Sequence, residues 1–333
     1  MLYEIEKSIK DKGYIDLAIE KNINLISEIN KLKQAKQAII LAHYYQKNEI
    51  QDIADYLGDS LALAQQATKT EAKIIVVAGV SFMAETAKIL CPNKKVLIPD
   101  LNAGCSLAES CKADDFKLFK EKYPDHIVVS YVNTSAEIKA MSDILCTSTN
   151  AVEIINSLPI NEKIIFGPDR NLGNYINNIT NRNMILWNGA CHVHEEFSIE
   201  KIIEFKKQYP MAKVIAHPEC KKPLLIIADY IGSTSALLKY TKENNSQQFI
   251  VATESGIIHQ MKKENPLKEF IAAPPKDSTC GCNDCNFMKL ITLEKLYLTL
   301  KYELPEVIVE ETIRQQAEKS IRRMLDLSEK MKL

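Results

Sequence analysis

The sequence predicts an α/β protein of three pseudo-three-fold-related α/β/α sandwich repeats, with short parallel sheets around a central active site. Two observations indicate this fold class. Short, continuous apolar runs alternate with amphipathic helical patterns, and this alternation is typical of parallel βαβ units. Landmark residues also recur along the 333-residue chain in steps of 88 and then 86 residues.

The recurrence is clearest in two nearly identical segments, IADYLGDS at 53–60 and IADYIGSTS at 227–235. MSDILCTST lies between them, and four sets of residues keep the same two steps. The sets are Asp55, Asp143 and Asp229; Ser60, Ser148 and Thr234; His43, Tyr131 and His217; and Gly79, Gly167 and Thr253. Four landmarks in one register are not expected by chance, so the sequence predicts a three-fold internal repeat.

Each predicted repeat has the same order of elements. A short buried strand comes first, followed by an amphipathic helix, a turn that carries Ser or Thr, a second helix, a second strand, a third helix and a last strand. The chain has no linker rich in Gly, Pro or Ser between the repeats. We therefore predict repeats over 1–115 (with an N-terminal helix), 116–203 and 204–289, and C-terminal helices over 290–333 that pack back on the body.

Composition excludes several classes of protein. The 42 Lys and Arg residues nearly balance the 43 Asp and Glu residues, and the chain has no dense basic tract, so nucleic acid is not an expected partner. The N-terminal stretch MLYEIEKSIKDKGY is charged throughout, unlike a signal peptide. The longest apolar run, at 74–84, is too short to cross a membrane. We therefore expect a cytoplasmic protein that does not bind a membrane.

The repeated residues also predict where a ligand binds. In parallel α/β units, ligands bind outside the carboxyl ends of the strands, and His43, Tyr131 and His217 each end a strand-like run. Three hydroxyls stand where a helix is predicted to begin, as N-caps: Ser60, Ser148 and Thr234. Because helix N-termini favour anions, we expect a pocket for a small ligand with several carboxylates or a phosphate. The alternative is that the hydroxyls only cap their own helices.

Nine cysteines are many for a chain in a reducing compartment, where metal binding or redox chemistry is favoured over disulfides. Cys105 and Cys191 lie 86 positions apart, behind the last strand of their repeats, and the third repeat offers three thiols in the equivalent place: Cys280, Cys282 and Cys285. One thiolate from each repeat would fit a [4Fe–4S] cluster held at three irons, and zinc with three cysteines is the competing interpretation. The other cysteines are predicted to be packing residues: Cys91, Cys111, Cys146 and Cys220.

The stretch CHVHEEF adds four polar residues directly after Cys191, namely His192, His194, Glu195 and Glu196. A histidine and a glutamate two residues apart beside a metal supply a ligand contact and a general base. The alternative interpretation is a solvated, acidic helix start.

At the level of motifs the chain resembles the quinolinate synthase, or NadA, family. The resemblance covers almost the whole chain and rests on the stretches LAHYYQ, IADYLGDSLALA, AGCSLA, CTSTNA, FGPDRNLG, CHVHEEF, AHPEC, VATESGIIHQM and CNFMKLITLEKL. It implies three α/β/α domains around a cavity that holds a [4Fe–4S] cluster. It also implies that iminoaspartate condenses with dihydroxyacetone phosphate to give quinolinate, phosphate and water in NAD biosynthesis, with the open iron as Lewis acid.

The resemblance also implies roles for individual residues. Cys105, Cys191 and Cys285, the last directly before NFMK, match the cluster ligands. The catalytic roles fall on Tyr45 in AHYY and on His194 and Glu196 in CHVHE. Substrate contacts are expected from His43, Ser60, Tyr131, Asn133, Ser148, His217, Glu219 and Thr234.

Two points stay open in the resemblance. The third repeat has the spacing C-x-C-x-x-C, so Cys280 or Cys282 competes with Cys285 as a ligand or forms a redox pair. A transient contact with L-aspartate oxidase, which supplies the unstable iminoaspartate, is a further expectation. The rival functions are a cluster-dependent hydro-lyase of the aconitase type and a non-enzymatic iron–sulfur or zinc sensor.

Overall fold

The computed structural model describes residues 2–277 and 283–333, so Cys280 and Cys282 lie outside the described residues. It contains three parallel sheets of four strands each, interleaved with helices, and this confirms the predicted α/β fold of three repeated units. The strands are β1 (Ala38–His43), β2 (Tyr56–Gly58), β3 (Ile74–Ala78), β4 (Lys95–Leu97), β5 (Ile127–Tyr131), β6 (Ile144–Cys146), β7 (Ile164–Gly167), β8 (Ile185–Leu186), β9 (Lys213–Ala216), β10 (Tyr230–Ile231), β11 (Gln248–Ala252) and β12 (Glu269–Ala272).

Helices surround the strands in the order that the sequence predicts for each repeat. The helices are α1 (Leu2–Lys12), α2 (Leu25–Lys36), α3 (Asn48–Ile53), α4 (Ser60–Lys69), α5 (Ser81–Leu90), α6 (Ser106–Glu109), α7 (Ala113–Glu121), α8 (Ala136–Met141), α9 (Ala151–Ser157), α10 (Arg170–Thr180), α11 (His192–Glu195), α12 (Ile199–Gln208), α13 (Lys222–Ile227), α14 (Thr234–Glu243), α15 (Ile257–Glu264), α16 (Asn286–Lys289), α17 (Leu293–Tyr302) and α18 (Glu311–Lys330). Among the described helices, none is both long enough and apolar enough to cross a membrane.

The three sheets share one strand order, β2-β1-β3-β4, β6-β5-β7-β8 and β10-β9-β11-β12. In each sheet the first strand of the repeat lies in the interior, between a short edge strand and the second long strand. The interior strands are buried on both faces, as β3 and β7 show along their whole length. This burial explains why their sequences are continuous apolar runs instead of alternating patterns.

The edge strands β2, β6 and β10 were not predicted, because the predicted order of elements has only an amphipathic helix and the turn after it in this part of each repeat. Each contains only two or three residues, too few for a pattern to indicate a strand. Their pairing registers follow the repeat, since Leu41 pairs with Tyr56, Val129 with Ile144 and Ile215 with Tyr230. The pairings are therefore related by the same steps of 88 and 86 residues that the sequence displays.

The repeated aspartates hold these edge strands in register. The side chains of Asp55, Asp143 and Asp229 accept the backbone N–H of Ile40, Val128 and Val214, at 2.7, 2.7 and 2.8 Å. The backbone N–H of each aspartate in turn donates to the carbonyl of the same partner residue. This two-way contact fixes the chain where the edge strand begins. It is the structural reason why nearly the same sequence segment occurs in each repeat.

The register of the edge strand also sets the position of the repeated hydroxyls. His43 pairs with Gly58 in the first sheet and Tyr131 with Cys146 in the second. Ser60 and Ser148 follow these edge residues by two positions. Parallel strands end at the same edge of a sheet, so each hydroxyl lies at the carboxyl end of the first strand of its repeat, as the sequence predicts.

The predicted N-cap role of these hydroxyls is wrong for Ser60, Ser148 and Thr234. Asp59 caps α4 and accepts the N–H of Ala62, and Ser233 caps α14 and accepts the N–H of Ala236. Helix α9 begins only at Ala151. A cap residue needs an extended backbone so that its side chain reaches the second or third helical N–H, and the first residue inside a helix does not have that backbone.

The chain divides into two compact units. The first comprises Met1–Cys105 and Asn286–Glu318 and contains the sheet of β1–β4. The second comprises Ser106–Cys285 and Lys319–Leu333 and contains the other two sheets. Within the first unit α17 packs against α2. The predicted repeat boundaries at 115, 203 and 289 stay predictions.

We expect Asp143→Ala to lower the free energy of unfolding by about 1 kcal/mol, because it removes an acceptor from a strand N–H. Urea unfolding of the parent and the variant measures this difference. Asp125→Ala is the matched control, since Asp125 is exposed in a turn of the same unit, and should change the value by less than about 0.5 kcal/mol. Equal stability of the two variants would contradict the role assigned to Asp143.

Candidate functional site

The loops that follow the first strand of each repeat carry candidate functional residues. In the first repeat the imidazole Nδ1 of His43 accepts the backbone N–H of Tyr45 at 3.1 Å. In the third repeat Nδ1 of His217 accepts the N–H of Glu219 at 3.3 Å, so the same turn is built twice. Asn133 occupies the equivalent position in the second repeat. One loop position therefore presents a phenol, an amide and a carboxylate in the three repeats.

Several contacts fix the loop of the first repeat within the first unit. The buried His43 ring meets the Tyr45 ring edge-on, with 4.4 Å between the ring centroids. The Gln51 amide donates to the carbonyls of Tyr44 and Gln46, and the Lys289 ammonium donates to the carbonyl of Tyr45 at 2.7 Å. The backbone of Tyr45 is thus held from two sides, which limits the positions that its half-buried phenol reaches.

Glu219 is the centre of a buried polar group in the second unit. The Tyr131 hydroxyl donates to Oε1 of Glu219 at 2.6 Å. Nδ1 of His194 lies 3.0 Å from Oε2, and Nδ1 of His217 lies 3.7 Å from Oε1. The two imidazoles stack with 4.7 Å between centroids, and Nε2 of His194 lies 3.0 Å from the Thr253 hydroxyl. All five side chains are buried.

The electrostatics of this group favour an anionic Glu219. Burial by itself raises the pKa of this carboxyl, but the charges of His194 and His217 and the hydrogen bond from Tyr131 outweigh it and lower the pKa to about 2. Burial, followed by the negative charge of Glu219, raises the pKa of the nearby Asp169, although three backbone N–H groups act in the opposite direction.

Two buried polar atoms at the site have no aligned hydrogen-bond partner among the described residues. They are Oδ1 of Asn133 and Nδ1 of His194, the latter close to Glu219 but out of line for a hydrogen bond. A buried polar atom without a partner costs on the order of 1–3 kcal/mol, so natural proteins seldom keep one without a use. Asn133 lies in the loop after β5, where the sequence predicts ligand contacts, and His194 lies in α11, in the predicted catalytic stretch CHVHEEF.

The described cysteines separate into two groups. Cys191 and Cys285 are half-buried and pack against one apolar cluster that includes Phe197, Ala252 and Ala273. Ligand atoms of Cys191, His194 and Glu219 lie within 4.8 Å of one another, which makes this trio able to bind a metal. Cys105 is also half-buried and belongs to the first unit.

The four remaining described cysteines are all buried, as predicted for packing residues: Cys91, Cys111, Cys146 and Cys220. Burial raises the pKa of the Cys111 thiol to about 12, with a smaller contribution from Asp115, and it also raises the pKa of Cys146 and Cys220. Thiols of this kind remain protonated and are poor nucleophiles and metal ligands.

The acidic pair after Cys191 lies in a more solvated environment than Glu219. Glu195 accepts from Lys221 at 2.8 Å and from the Asn171 amide at 2.6 Å. The Glu196 side chain is one third exposed, and its carboxylate lies 3.8 Å from Lys276. The structure therefore brings His194, but not Glu196, into the buried group around Glu219. The predicted catalytic role of Glu196 is untested by this placement and stays a prediction.

The remaining predicted substrate residues stand near the ends of the first strands. Thr234 is buried as the first residue of α14, Ser60 is the half-buried first residue of α4, and Ser148 lies half-buried in the turn before α9. Thr253 was not predicted as a site residue. Its position in the repeat register, shared with Gly79 and Gly167, was the signal that could have identified it.

The family model for quinolinate synthetase A protein, NadA, matches residues 27–326. The chain belongs to the NadA family. Its relatives in this family are similar over nearly their whole length. The chain is 59% identical to the quinolinate synthase of Microcystis aeruginosa over 305 residues. This aligned region covers 92% of this chain and 95% of that protein. It is 60% identical over 305 residues to that of Rippkaea orientalis, with 92% and 94% covered, and 57% identical over 306 residues to that of Thermosynechococcus vestitus, with 92% and 96% covered.

We expect Tyr131→Phe in this NadA-family chain to lower the free energy of unfolding by about 1.5–3 kcal/mol, because it removes a hydrogen bond to a buried charged group. Chemical unfolding of the metal-free protein provides the measurement. Tyr123→Phe serves as the control, since Tyr123 is half-buried in the same unit and contacts its neighbours through its ring. A loss below about 0.5 kcal/mol for Tyr131→Phe would show that its hydroxyl is not anchored on Glu219.

Proposed function

We propose that this chain is a quinolinate synthase that condenses iminoaspartate with dihydroxyacetone phosphate to give quinolinate, phosphate and water in cytoplasmic NAD biosynthesis. The observation that carries the proposal is the buried group of Tyr131, His194, His217 and Glu219 at the carboxyl ends of parallel strands, in a chain that belongs to this family. Such a group is suited to binding carboxylates and to moving protons, and both are needed to build a pyridine ring with two carboxylates.

We propose that Cys105, Cys191 and Cys285, one from each repeat, hold a [4Fe–4S] cluster. The residues fit this cofactor, since Cys191 and Cys285 lie half-buried against one apolar cluster and thiolates are the ligands that iron–sulfur clusters use. When bound, the cluster would supply an iron without a protein ligand, a Lewis acid for a substrate hydroxyl or carbonyl. The trio of Cys191, His194 and Glu219 is an observation that favours zinc instead, because zinc accepts sulfur, nitrogen and oxygen ligands.

The repeated loops are suited to binding the anionic groups of the two substrates. Imidazoles, hydroxyls and an amide can all donate hydrogen bonds to carboxylate or phosphate oxygens. Oδ1 of Asn133 also offers an acceptor that no described residue satisfies. The proposed binding residues are His43, Ser60, Tyr131, Asn133, Ser148, His217, Glu219 and Thr234.

Ring formation requires several proton transfers, and the chain offers several groups for them. The Tyr45 phenol gives and takes a proton at a loop position that Lys289 and Gln51 hold in place. His194 is the second proposed proton carrier, since its Nδ1 lies 3.0 Å from Oε2 of Glu219. Glu196 is the third proposed acid–base group, and Glu219, which is more buried and accepts the Tyr131 hydroxyl, is a further candidate for this role.

We also propose a transient contact with L-aspartate oxidase as the source of iminoaspartate. The support is chemical, because an unstable imine that diffuses freely through water is lost to hydrolysis. The contact can be tested by adding increasing amounts of this chain to that oxidase and measuring the yield of quinolinate from aspartate.

Anaerobically purified protein is expected to contain about four irons and four sulfides per chain, as a [4Fe–4S] cluster requires. Cys285→Ala should abolish this content, whereas Cys282→Ala should retain most of it. Cys91→Ala is the control, because Cys91 is a buried packing residue. Stoichiometric zinc after iron–sulfur reconstitution, or loss of iron in Cys282→Ala alone, would contradict the ligand assignment.

We expect Tyr45→Phe and Glu219→Gln to lower the rate of quinolinate formation by at least about 10²-fold, with the cluster spectrum unchanged, since acid–base groups contribute roughly 10²–10⁴-fold. Glu196→Gln is the matched comparison, and a smaller loss is expected because Glu196 is more exposed. The assay is run with and without dihydroxyacetone phosphate, and turnover without it would support a hydro-lyase instead. A larger loss in Glu196→Gln than in Glu219→Gln would assign the catalytic carboxylate to Glu196.

A further inference from the structure

Two buried carboxylates in the second unit have no part in the proposed reaction. Asp169 and Glu254 are both completely buried. Asp169 follows the end of β7 by two residues, and Glu254 follows the end of β11 by two residues. Both therefore stand at the carboxyl end of the second long strand of their repeat, the end at which the candidate site lies.

Asp169 connects a helix start with the loop that carries Cys191. Its Oδ1 accepts the backbone N–H groups of Asn171 and Leu172, at 2.6 and 3.0 Å, and so caps α10. Its Oδ2 accepts the N–H of Cys191 at 2.8 Å. The two oxygens thus bind different groups: Oδ1 binds the start of α10, and Oδ2 binds the backbone of the proposed cluster ligand Cys191.

Glu254 makes the same kind of connection in the third repeat. Its Oε1 accepts the backbone N–H of Cys285 at 3.0 Å, and its Oε2 accepts the N–H of Gly256 at 2.7 Å. The next residue, Ser255, donates its N–H to the carbonyl of Asn283, which strengthens the link to the segment before Cys285.

The two carboxylates do not occupy the same position of the repeat. A step of 86 residues from Asp169 leads to Ser255, one residue beyond Glu254. The longer glutamate side chain begins one residue earlier in the chain and still reaches the N–H of its cysteine. Two repeats therefore make the same kind of hydrogen bond, from a buried carboxylate to a cysteine N–H, from different positions.

We propose that Asp169 and Glu254 are positioning residues for the cofactor, each of which holds the backbone of one thiolate ligand and occupies its N–H group. The inference rests on the proposed cluster. An N–H that donates to a carboxylate is not available to a cluster sulfur, and hydrogen bonds to the sulfurs raise the reduction potential of such clusters. The two carboxylates thus keep the loops in the geometry for ligation and keep the potential low, which favours the oxidised cluster that serves as a Lewis acid.

The test uses Asp169→Asn and Glu254→Gln in the whole chain. Each substitution keeps one oxygen, which suffices for the cap of α10 or the N–H of Gly256, and turns an NH₂ group toward the cysteine N–H. Asp143→Asn is the matched control, because Asp143 also accepts a backbone N–H but at the other end of its sheet. Three quantities are measured: iron release to a chelator, the midpoint potential of the cluster, and amide hydrogen exchange at Cys191 and Cys285 in metal-free protein.

We expect iron release to be about 10-fold faster than in the parent, since partners of metal ligands typically contribute 10–100-fold to affinity. We also expect a higher midpoint potential and faster exchange at the cysteine whose acceptor is altered, with no such changes in Asp143→Asn. A merely structural role would change stability without raising the potential. If one variant does not fold, the other is sufficient, because the two carboxylates serve different cysteines.

Parent-like iron release, potential and exchange in both variants would overturn the inference. A parent protein that binds zinc and no cluster would instead overturn the proposed cofactor. In that case, unchanged amide exchange at Cys191 and Cys285 would still refute the positioning role, and faster exchange would support it.

Discussion

The pairing of a short edge strand with the first strand of each repeat is the interaction on which the rest of this structure depends. An aspartate carboxylate secures it three times, through the strand N–H groups of Ile40, Val128 and Val214. Once the register is fixed, the chain enters the next helix at a defined distance from the end of the first strand. The hydroxyls and the strand-end side chains then occupy the same edge of each sheet, and a one-residue slip would turn the edge strand to its opposite face.

The repeats share a backbone and differ in chemistry. The loop position that holds Tyr45 in the first repeat holds Asn133 in the second and Glu219 in the third. A turn that a histidine closes through its own ring nitrogen supports both Tyr45 and Glu219. The three repeats therefore carry three copies of one loop. A different residue at a single loop position gives each copy a different hydrogen-bond donor or acceptor.

Buried carboxyl groups are tolerated at this site because each of them has several partners. Glu219 lies within reach of two imidazoles and accepts a phenol hydroxyl, and Asp169 accepts three backbone N–H groups. Burying a carboxylate without such partners would cost several kcal/mol. Asp169 also fixes the loop that carries Cys191, and the buried Glu254 fixes the loop that carries Cys285, so the electrostatics and the geometry of the site are one arrangement.

The sequence by itself determined the α/β class, the three-fold repeat and the residues at the strand ends, because these features are local patterns or recurrences at fixed spacing. It also separated the packing cysteines from Cys105 and Cys191, which stand behind the last strands of their repeats. Only the tertiary structure decided the edge strands, because two or three residues carry no periodic signal and depend on a partner strand. It alone placed Glu219 between His194 and Tyr131, and Asp169 and Glu254 against the cysteine N–H groups. These contacts join residues 22 to 88 positions apart, and no local pattern encodes which distant N–H a buried carboxylate accepts.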